Sequence, residues 1–372
     1  MAPRATYLDW NANAPMHPAA IDAVSEALGL AGNPSSVHGY GRRARQAVNV
    51  AREAVARLVN AAPDEVIFTS GGTEANNLAL RGFPRRRVMV SAIEHESALA
   101  AATAVDGGRI PVTRAGIVDL AALEEMLVAD ARPALVSVMF ANNETGVVQP
   151  AAEVAQIAHR HGALFHCDAV QGPGKLPVDF RALDGDLMTI SSHKIGGPMG
   201  SGALILRGDL AIEPFVKGGS QERGRRGGTE NFPGIVGFGA AALVACAMEG
   251  SAEIATLRDE AERRLSALAP GAVIFGHDAP RLPNTLCIAM PGVPSATQVI
   301  ALDLAGVMVS AGAACSAGKV TRSHVLEAMG APPAMLECAI RISLGRGTVA
   351  ADIDHLVEAW GALYARTRAS AA

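Results

Sequence analysis

The sequence lacks three features that would place it in other protein classes. No apolar run in its 372 residues reaches the roughly 20 residues that a membrane-spanning helix needs. The N-terminus has no apolar signal core. The five cysteines are scattered without a CxxC pair, so neither a disulfide framework nor a structural zinc site is predicted. These absences favour a cytoplasmic protein with no membrane segment.

An excess of charge of one sign is also missing. The formal net charge is -4, which gives no reason to expect nucleic acid as a partner. Arginine clusters at 42–43 and 85–87 have no interleaved aromatic residues, which favours solvated surfaces over a nucleic-acid site. No low-complexity linker and no internal repeat occurs. The composition, 49% hydrophobic and 18% charged, is typical of a globular chain, here long enough for two domains.

Short apolar segments alternate with helical patterns in the first two thirds of the chain. The predicted strands are 66–68, 87–91, 134–140, 163–167, 187–190 and 202–206, and helical patterns include 18–31, 42–60, 119–129 and 151–161. Apolar strands that alternate with helices predict an α/β fold with a mostly parallel sheet covered on both faces.

The last third of the chain has a different pattern. Predicted helices at 253–269 and 297–304 mix with strands at 272–275, 285–290 and 338–343, and the final helix has one apolar face. We therefore expect a large α/β domain over residues 15–250. We expect a smaller α+β domain over 251–372, completed by residues 1–14.

Polar clusters follow five successive strands of the predicted sheet. They occupy 69–76, 94–96, 142–144, 168–171 and 191–194. In open α/β sheets, ligands bind in the crevice outside the carboxyl ends of the strands. Five such clusters in succession predict a ligand site at that edge.

Lys194 lies at one of these strand ends, in the segment SSHKIGGP. Its amine could form a Schiff base with an aldehyde cofactor, provided that a pocket lowers the amine's pKa. A surface lysine is the more frequent situation when this residue is considered alone. The neighbouring clusters therefore decide between the two interpretations.

Three other residue groups could serve the same ligand, and each has an ordinary structural alternative. Ser70–Thr73 could bind an anion at a helix start, or Thr73 could simply cap that helix. Asp168 could pair with a protonated pyridine nitrogen, with Gln171 at the ring's edge, or it could accept backbone hydrogen bonds. His95 could stack on a flat ring and transfer protons, or it could be a satisfied polar residue. No GxGxxG or Walker A motif indicates a nucleotide.

Cys315 lies in SAGAACSAG, where small residues and glycines predict a loop whose thiol could act as a nucleophile. Arg341, in a predicted strand, could bind a carboxylate with two parallel hydrogen bonds, or form a structural ion pair. The other four cysteines lie in apolar patterns and are predicted to be in the core: Cys167, Cys246, Cys287 and Cys338.

Ten segments together resemble the NifS/IscS-like cysteine desulfurases of the class-V aminotransferase group, which depend on pyridoxal 5′-phosphate (PLP). They are YLDWNANAP (7–15), NPSSVH (33–38), FTSGGTEANNLAL (68–80), SAIEHESAL (91–99), NNETGVVQP (142–150), HCDAVQ (166–171), SSHKIGGP (191–198), GRRGGTEN (224–231), GAACSAG (312–318) and RISLGR (341–346). They follow the family's order over nearly the whole chain. The resemblance implies a PLP-dependent transferase of fold type I.

The resemblance also implies roles for the matching residues. Lys194 would hold PLP as a Schiff base and move the substrate's α-proton. The remaining cofactor contacts would be Gly72, Thr73, Ser191 and His193 to the phosphate, Asp168 to the ring nitrogen, Gln171 to the ring hydroxyl, His95 stacked on the ring, and Asn143 to cofactor and substrate.

The substrate implied is L-cysteine, whose carboxylate Arg341 would bind. Cys315 would attack its sulfur, become a persulfide and leave L-alanine. The sulfur would pass to an acceptor protein, such as an iron–sulfur scaffold, or serve tRNA modification. Thr229 would reach the phosphate of a partner subunit, which implies a homodimer. No resident metal is expected, only a transient iron–sulfur or persulfide contact at Cys315.

The nearest alternative activity is that of a selenocysteine lyase, or of another class-V aminotransferase or lyase. The alternative without enzymatic activity is a catalytically silent binding subunit. The sequence departs from the family's usual pattern at Trp10, at 12–14 and at Ser220. It ends at Ala372, so we expect no long C-terminal tail of the kind some relatives use to dock a scaffold protein.

Overall fold

The structure is a computed structural model that describes residues 5–83, 86–247, 250–312 and 322–371. Its helices are α1 Pro18–Leu28, α2 Gly39–Leu58, α3 Gly72–Arg81, α4 Glu96–Thr103, α5 Leu120–Ala129, α6 Ala151–Arg160, α7 Phe232–Ala245, α8 Ser251–Leu268, α9 Ser295–Leu304, α10 His324–Ala328, α11 Pro333–Leu336 and α12 Ala350–Ala371. Its strands are β1 Thr6–Tyr7, β2 Val66–Thr69, β3 Arg87–Ser91, β4 Gly107–Ile110, β5 Ala134–Met139, β6 Leu164–Asp168, β7 Leu187–Ser191, β8 Gly202–Leu206, β9 Val273–Phe275, β10 Thr285–Ala289, β11 Val307–Met308, β12 Ser310–Ala311 and β13 Ala339–Ser343.

Seven strands form the central sheet, in the order β2-β8-β7-β6-β5-β3-β4. The neighbours β7-β6-β5-β3-β4 are parallel, while β8 runs antiparallel to both β7 and β2. The mostly parallel α/β sheet predicted from the sequence is confirmed. All six strands predicted for this sheet occur within one residue of their expected ends, because each is a continuous apolar run bounded by polar residues.

Both faces of the central sheet are buried, as a continuous apolar strand requires. On β2, the side chains of Val66 and Phe68 pack in one core cluster with α2, α6 and α7. Ile67 points to the opposite face and packs in a second cluster with α3 and α4. Helices therefore cover both faces, and the strand ends are left to form a crevice.

A second, antiparallel sheet has the order β12-β13-β10-β9. It packs with α8, α9 and α12 around a separate cluster in which Trp360 is fully buried. Leu8 belongs to the same cluster, and the adjacent β1 pairs in parallel with β11. The N-terminal segment thus packs with the last third of the chain, while the domain boundaries at 14 and 250 stay a prediction.

Two helices differ from their predicted limits by three residues, while α8 and α9 each begin two residues earlier than expected. α1 ends at Leu28 rather than at residue 31, and α2 begins at Gly39 because His38 caps it by accepting a hydrogen bond from the Gly41 amide. In the part of the chain that the structure describes, every helix is too short or too polar to cross a bilayer.

Candidate active site

A cavity of about 330 Å³ lies at the carboxyl-terminal edge of the central sheet. Its walls come from the turns after β2, β5, β6 and β7, from the N-terminal segment and from β13. It brings together ten residues that the sequence analysis singled out: Gly72, Thr73, His95, Asn143, Asp168, Gln171, Ser191, His193, Lys194 and Arg341. The clustering expected from the strand ends is therefore present.

Lys194 ends a short 3-10 turn, Ser192–Lys194, directly after β7. Its Nζ donates hydrogen bonds to the backbone carbonyls of Asn11 and Ala12, each at 2.7 Å. The side chain is therefore drawn from the sheet edge into the cavity rather than out to solvent. Both acceptors belong to the N-terminal segment.

Asp168 is the last residue of β6 and is almost fully buried. Its Oδ2 accepts a hydrogen bond from Asn76 Nδ2 at 2.7 Å, and its Oδ1 accepts one from the Val170 amide at 3.0 Å. A buried carboxylate held only by neutral donors is suited to a cationic partner. Asn76 Oδ1 is also buried, and among the described residues it has no hydrogen-bond partner.

The turn between β2 and α3 forms a second wall of the cavity. α3 begins at Gly72, and its N-cap is Gly71, which has a φ of 152° and no side chain. The alternative that Thr73 caps this helix is therefore wrong. A Cβ added at Gly72 would come within 3.0 Å of Val170 Cγ2, so the glycine keeps the approach to the helix start open. The first amides of α3 lack intrahelical acceptors and suit an anion.

Two histidines line the cavity, and hydrogen bonds fix the orientation of both. His95 caps α4, and its Nδ1 accepts a hydrogen bond from the Ser97 amide at 3.1 Å, so the neutral ring carries its proton on Nε2. His193 Nδ1 lies 2.9 Å from Ser191 Oγ. Burial, helped by the charge of Lys194, lowers the pKa of His193 to about 4. This imidazole is therefore neutral at pH 7.

Arg341, on β13, is buried and lines the same cavity. Its Nη2 donates to Asp9 Oδ1 at 2.6 Å, and its Nη1 donates to the Asn143 carbonyl at 3.1 Å. Its Nε has no hydrogen-bond partner in the described part of the chain. The guanidinium thus keeps a donor for a further acceptor.

Sequence reasoning missed two residues that connect these walls. Asn11 is buried, and besides holding Lys194 its carbonyl accepts a hydrogen bond from Gln171 Nε2 at 3.0 Å. Lys175 Nζ donates to Asn11 Oδ1 at 2.8 Å and to Gln171 Oε1. Burial first, and then the charges of Lys194 and Arg341, hold the pKa of Lys175 well below its usual range. The only sequence signal was the spacing of four residues between Gln171 and Lys175.

Cys315 lies outside the described residues, but the residues on either side of that gap are placed. Gly312 lines the cavity, and a Cβ there would come within 2.5 Å of Glu144 Oε2. On the far side of the gap, Ser323 Oγ donates to the same Glu144 oxygen at 2.6 Å. One buried carboxylate therefore contacts both ends of the segment that carries Cys315.

Three of the other four cysteines are buried as predicted: Cys167, Cys287 and Cys338. Burial raises the pKa values of Cys167 and Cys287, which makes these thiols poor nucleophiles. The prediction that Cys246 lies in the core is wrong. It follows the last residue of α7, where the helix leaves the core, and its side chain is exposed.

Thr229 lies outside the main cavity. It lines a small cavity of about 60 Å³ beside Ser70 and Arg226, next to the turn that precedes α3. The expectation that it reaches the phosphate held by a second copy stays a prediction.

The match to known proteins covers almost the whole chain. The family model described as Aminotransferase class-V matches residues 6–356. The chain belongs to this family. Within it, the chain is 44% identical over 365 residues to a cysteine desulfurase of Cereibacter sphaeroides, covering 95% of this chain and 94% of that protein. It is 40% identical to a cysteine desulfurase of Enterobacter agglomerans, covering 97% and 93%.

Solved structures of the family show the same fold. The X-ray structure of a NifS-like protein from Rickettsia africae ESF-5 superposes with a TM-score of 0.91 at 35% identity, covering 97% of this chain and 99% of that chain. SspA in complex with cysteine superposes with a TM-score of 0.80 at 29% identity, covering 92% and 100%. The PLP-dependent fold expected from the sequence is confirmed.

Class-V aminotransferases and cysteine desulfurases are PLP-dependent, and the residues of this cavity fit that cofactor. A pyridine nitrogen needs a buried carboxylate, which Asp168 supplies. A phosphate needs an open helix start, which Gly72 provides. Over the described ranges, no group of three or more His, Cys, Asp or Glu side chains could hold a metal ion.

Proposed function

We propose that this chain is a PLP-dependent cysteine desulfurase that converts L-cysteine to L-alanine and places the sulfur on Cys315. One observation carries the proposal. A single cavity joins Lys194, Asp168 and Arg341, and its wall continues to Gly312, three residues before Cys315. This arrangement offers a covalent cofactor site, a substrate carboxylate site and a nearby thiol.

Different walls of the cavity would bind different parts of the cofactor. Lys194 would bind PLP covalently, and Asp168 would hold the pyridine nitrogen. The phosphate would be bound by Gly72, Thr73, Ser191 and His193. Gln171 would bind the ring oxygen, and His95 would stack on the face of the ring. Asn143 would contact the edge of the ring and the substrate. When bound, PLP supplies an electron sink for negative charge at the substrate's Cα.

Lys194 and His95 are the residues that would move protons. Once Lys194 is released from the cofactor, its amine would accept the α-proton of the substrate. The carbonyls of Asn11 and Ala12 accept hydrogen bonds from that amine and would hold it in place. His95 would present its Nε2–H to the reacting atoms, because its Nδ1 is engaged by Ser97.

Arg341 would bind the substrate's carboxylate. Its guanidinium lines the cavity, Asp9 and the Asn143 carbonyl fix its orientation, and its five N–H groups outnumber these two acceptors. A charge-assisted contact to a carboxylate is stronger than a neutral hydrogen bond and directional.

Cys315 would take the sulfur. Three residues of chain span at most about 11 Å, so its Cα lies within that distance of Gly312 at the cavity wall. The thiolate would attack the sulfur, the S–S bond would form as the C–S bond breaks, and the electron pair left on carbon would take a proton to give alanine.

The test is to measure alanine and sulfide together with L-cysteine and a reductant. We expect equal amounts from the wild type. Cys315→Ser should keep the absorbance of bound PLP but lose at least about 100-fold in sulfide release, because hydroxyl is a poor acceptor of sulfur. Cys246→Ser, which removes an exposed thiol that does not line this cavity, is the matched control and should behave as wild type. Normal turnover by Cys315→Ser would remove Cys315 from this role.

The same assay also distinguishes between the two candidate substrates, cysteine and selenocysteine. SspA, one of the structural neighbours, is described in complex with cysteine, which supports cysteine as the substrate. A much higher rate with selenocysteine would favour the lyase alternative.

We further propose that the chain forms a homodimer, in which Thr229 contacts the phosphate of the partner's site. We also propose that the sulfur passes to an acceptor protein such as an iron–sulfur scaffold.

A further inference from the structure

Lys175 is a partly buried lysine that the proposed reaction does not use. It lies behind the cavity, and its Nζ donates to Asn11 Oδ1 at 2.8 Å and to Gln171 Oε1. Holding an ammonium group partly out of water is costly when it has no ion pair, and among the described residues Lys175 has none, so its position calls for a functional explanation. The two acceptors it contacts are both walls of the cavity.

The contact with Lys175 fixes which way the Gln171 amide faces. Because Oε1 accepts from the ammonium, Nε2 must be the group directed elsewhere, and it donates to the Asn11 carbonyl at 3.0 Å. The second Nε2 hydrogen is left for the cavity. Gln171 can therefore only donate to the oxygen of a bound ring, which favours the deprotonated oxygen.

Lys175 also fixes the position of Lys194. The ammonium binds the side chain of Asn11, while the carbonyl of the same residue accepts from Lys194 Nζ at 2.7 Å. Asn11 therefore separates the two amines and links them. Two positive charges so near each other disfavour the protonated form of both.

We propose that Lys175 is a positioning residue of the active site: through Gln171 and Asn11 it orients the ring-oxygen donor and the Lys194 amine, and it keeps a second positive charge beside that amine. The proposal rests on the proposed function, since it assumes PLP bound at Lys194. Lys175 would act through the geometry of Gln171 and Asn11 and through its charge, without contacting the reacting atoms.

The other charged groups around this network are known from the structure. Lys194 and Arg341 act on Lys175 directly, and both lower its pKa. Asp9 neutralises Arg341 through their 2.6 Å ion pair, and neutral His193 adds no charge at pH 7. In the described part of the chain no carboxylate forms an ion pair with Lys175, so removing this residue takes away positive charge beside Lys194.

The test is a pH titration of the absorbance of bound PLP, which reports protonation of its link to Lys194. In Lys175→Met, loss of the nearby charge should raise that pKa by about one unit. Lys175→Gln removes the same charge but keeps a polar group in the buried site, so it should give the same shift even where the methionine variant fails to fold. Lys175→Arg restores the charge and should return the pKa toward the wild-type value.

Lys217→Met is the matched control, because Lys217 is exposed, and its titration should equal that of the wild type. An unchanged pKa in both neutral Lys175 variants would overturn this inference and leave the proposed function standing. A wild-type protein without PLP absorbance would overturn both. The readout needs no turnover, so the two failures are distinguishable.

Discussion

Arg341 shows how a buried charge can be held by neighbours and still remain available. It pairs with Asp9 and with the Asn143 carbonyl, yet it retains an unpartnered Nε among the described residues. The guanidinium can serve three acceptors because its donors are arranged in a rigid fork. A structural ion pair and a substrate site, which are alternatives from sequence, are therefore compatible at this residue.

Replacing Arg341 with lysine should weaken substrate binding more than turnover. A lysine ammonium is a single point charge and cannot hold Asp9, the Asn143 carbonyl and a substrate carboxylate in one plane. We expect Arg341→Lys to raise the KM for L-cysteine about tenfold or more, with a smaller change in kcat, in steady-state kinetics. Arg281→Lys, at a buried arginine paired with Glu262 outside the cavity, should leave both unchanged. An unaltered KM in Arg341→Lys would refute the assigned role.

At the scale of elements, the Glu144 carboxylate contacts segments that are distant in sequence. Glu144 follows β5, and its Oε2 accepts from Ser323, which caps α10, while Gly312 follows β12 and lies against the same oxygen. Three elements that are distant in sequence are therefore joined at one carboxylate. Both ends of the segment with Cys315 are held there.

Removing this carboxylate should impair sulfur transfer without affecting the cofactor. In Glu144→Ala we expect sulfide release from L-cysteine to fall about tenfold or more, while the absorbance of bound PLP stays at the wild-type level, because the ends of the Cys315 segment lose their shared anchor. Glu327→Ala changes an exposed carboxylate on α10 and serves as the control. Equal losses in the two variants would indicate general destabilisation of α10 instead.

Many of the helix and strand limits could be predicted because they depend on local patterns of apolar and polar residues. β3 and β8 have their expected bounds, since continuous apolar runs end at polar residues. The two-residue strands β1 and β11 gave no such signal, because two residues show no periodicity. Lys175 was missed for a related reason: a lysine is normally exposed, and its burial follows from packing against the N-terminal segment.

At the scale of the whole molecule, the central sheet contains a buried polar row across three strands. His166 on β6 lies 2.8 Å from Ser137 Oγ on β5 and 2.9 Å from Thr189 Oγ1 on β7. Burial lowers the pKa of His166 to about 4, so the folded protein holds this ring neutral. An unfolded chain would protonate it at ordinary histidine values.

The sign of the pH dependence follows from this shift. Between about pH 6.5 and pH 4 the unfolded chain binds a proton that the folded chain does not, so stability from this group is present above pH 6.5 and lost as the pH falls toward 4. From pH 7.5 to pH 5 the free energy of unfolding should fall by about 2 kcal/mol on account of His166.

Denaturant unfolding of wild type and His166→Gln at both pH values measures this contribution. The free-energy difference between the two proteins should shrink by about 2 kcal/mol at pH 5, since glutamine cannot be protonated there. A His166→Gln difference that is the same at both pH values would contradict the buried neutral state.

The position of Asn11 has a consequence for how the protein is made. Its partners Asn143, Thr285 and Ser343 lie 132, 274 and 332 residues later in the chain. Asn11 leaves the ribosome before any of these partners, and Ser343 emerges only after 332 further residues have been made. Contacts of such large sequence separation form late. A nascent chain can therefore build much of the central sheet, but the cavity at its edge closes only after residue 343 has been synthesised.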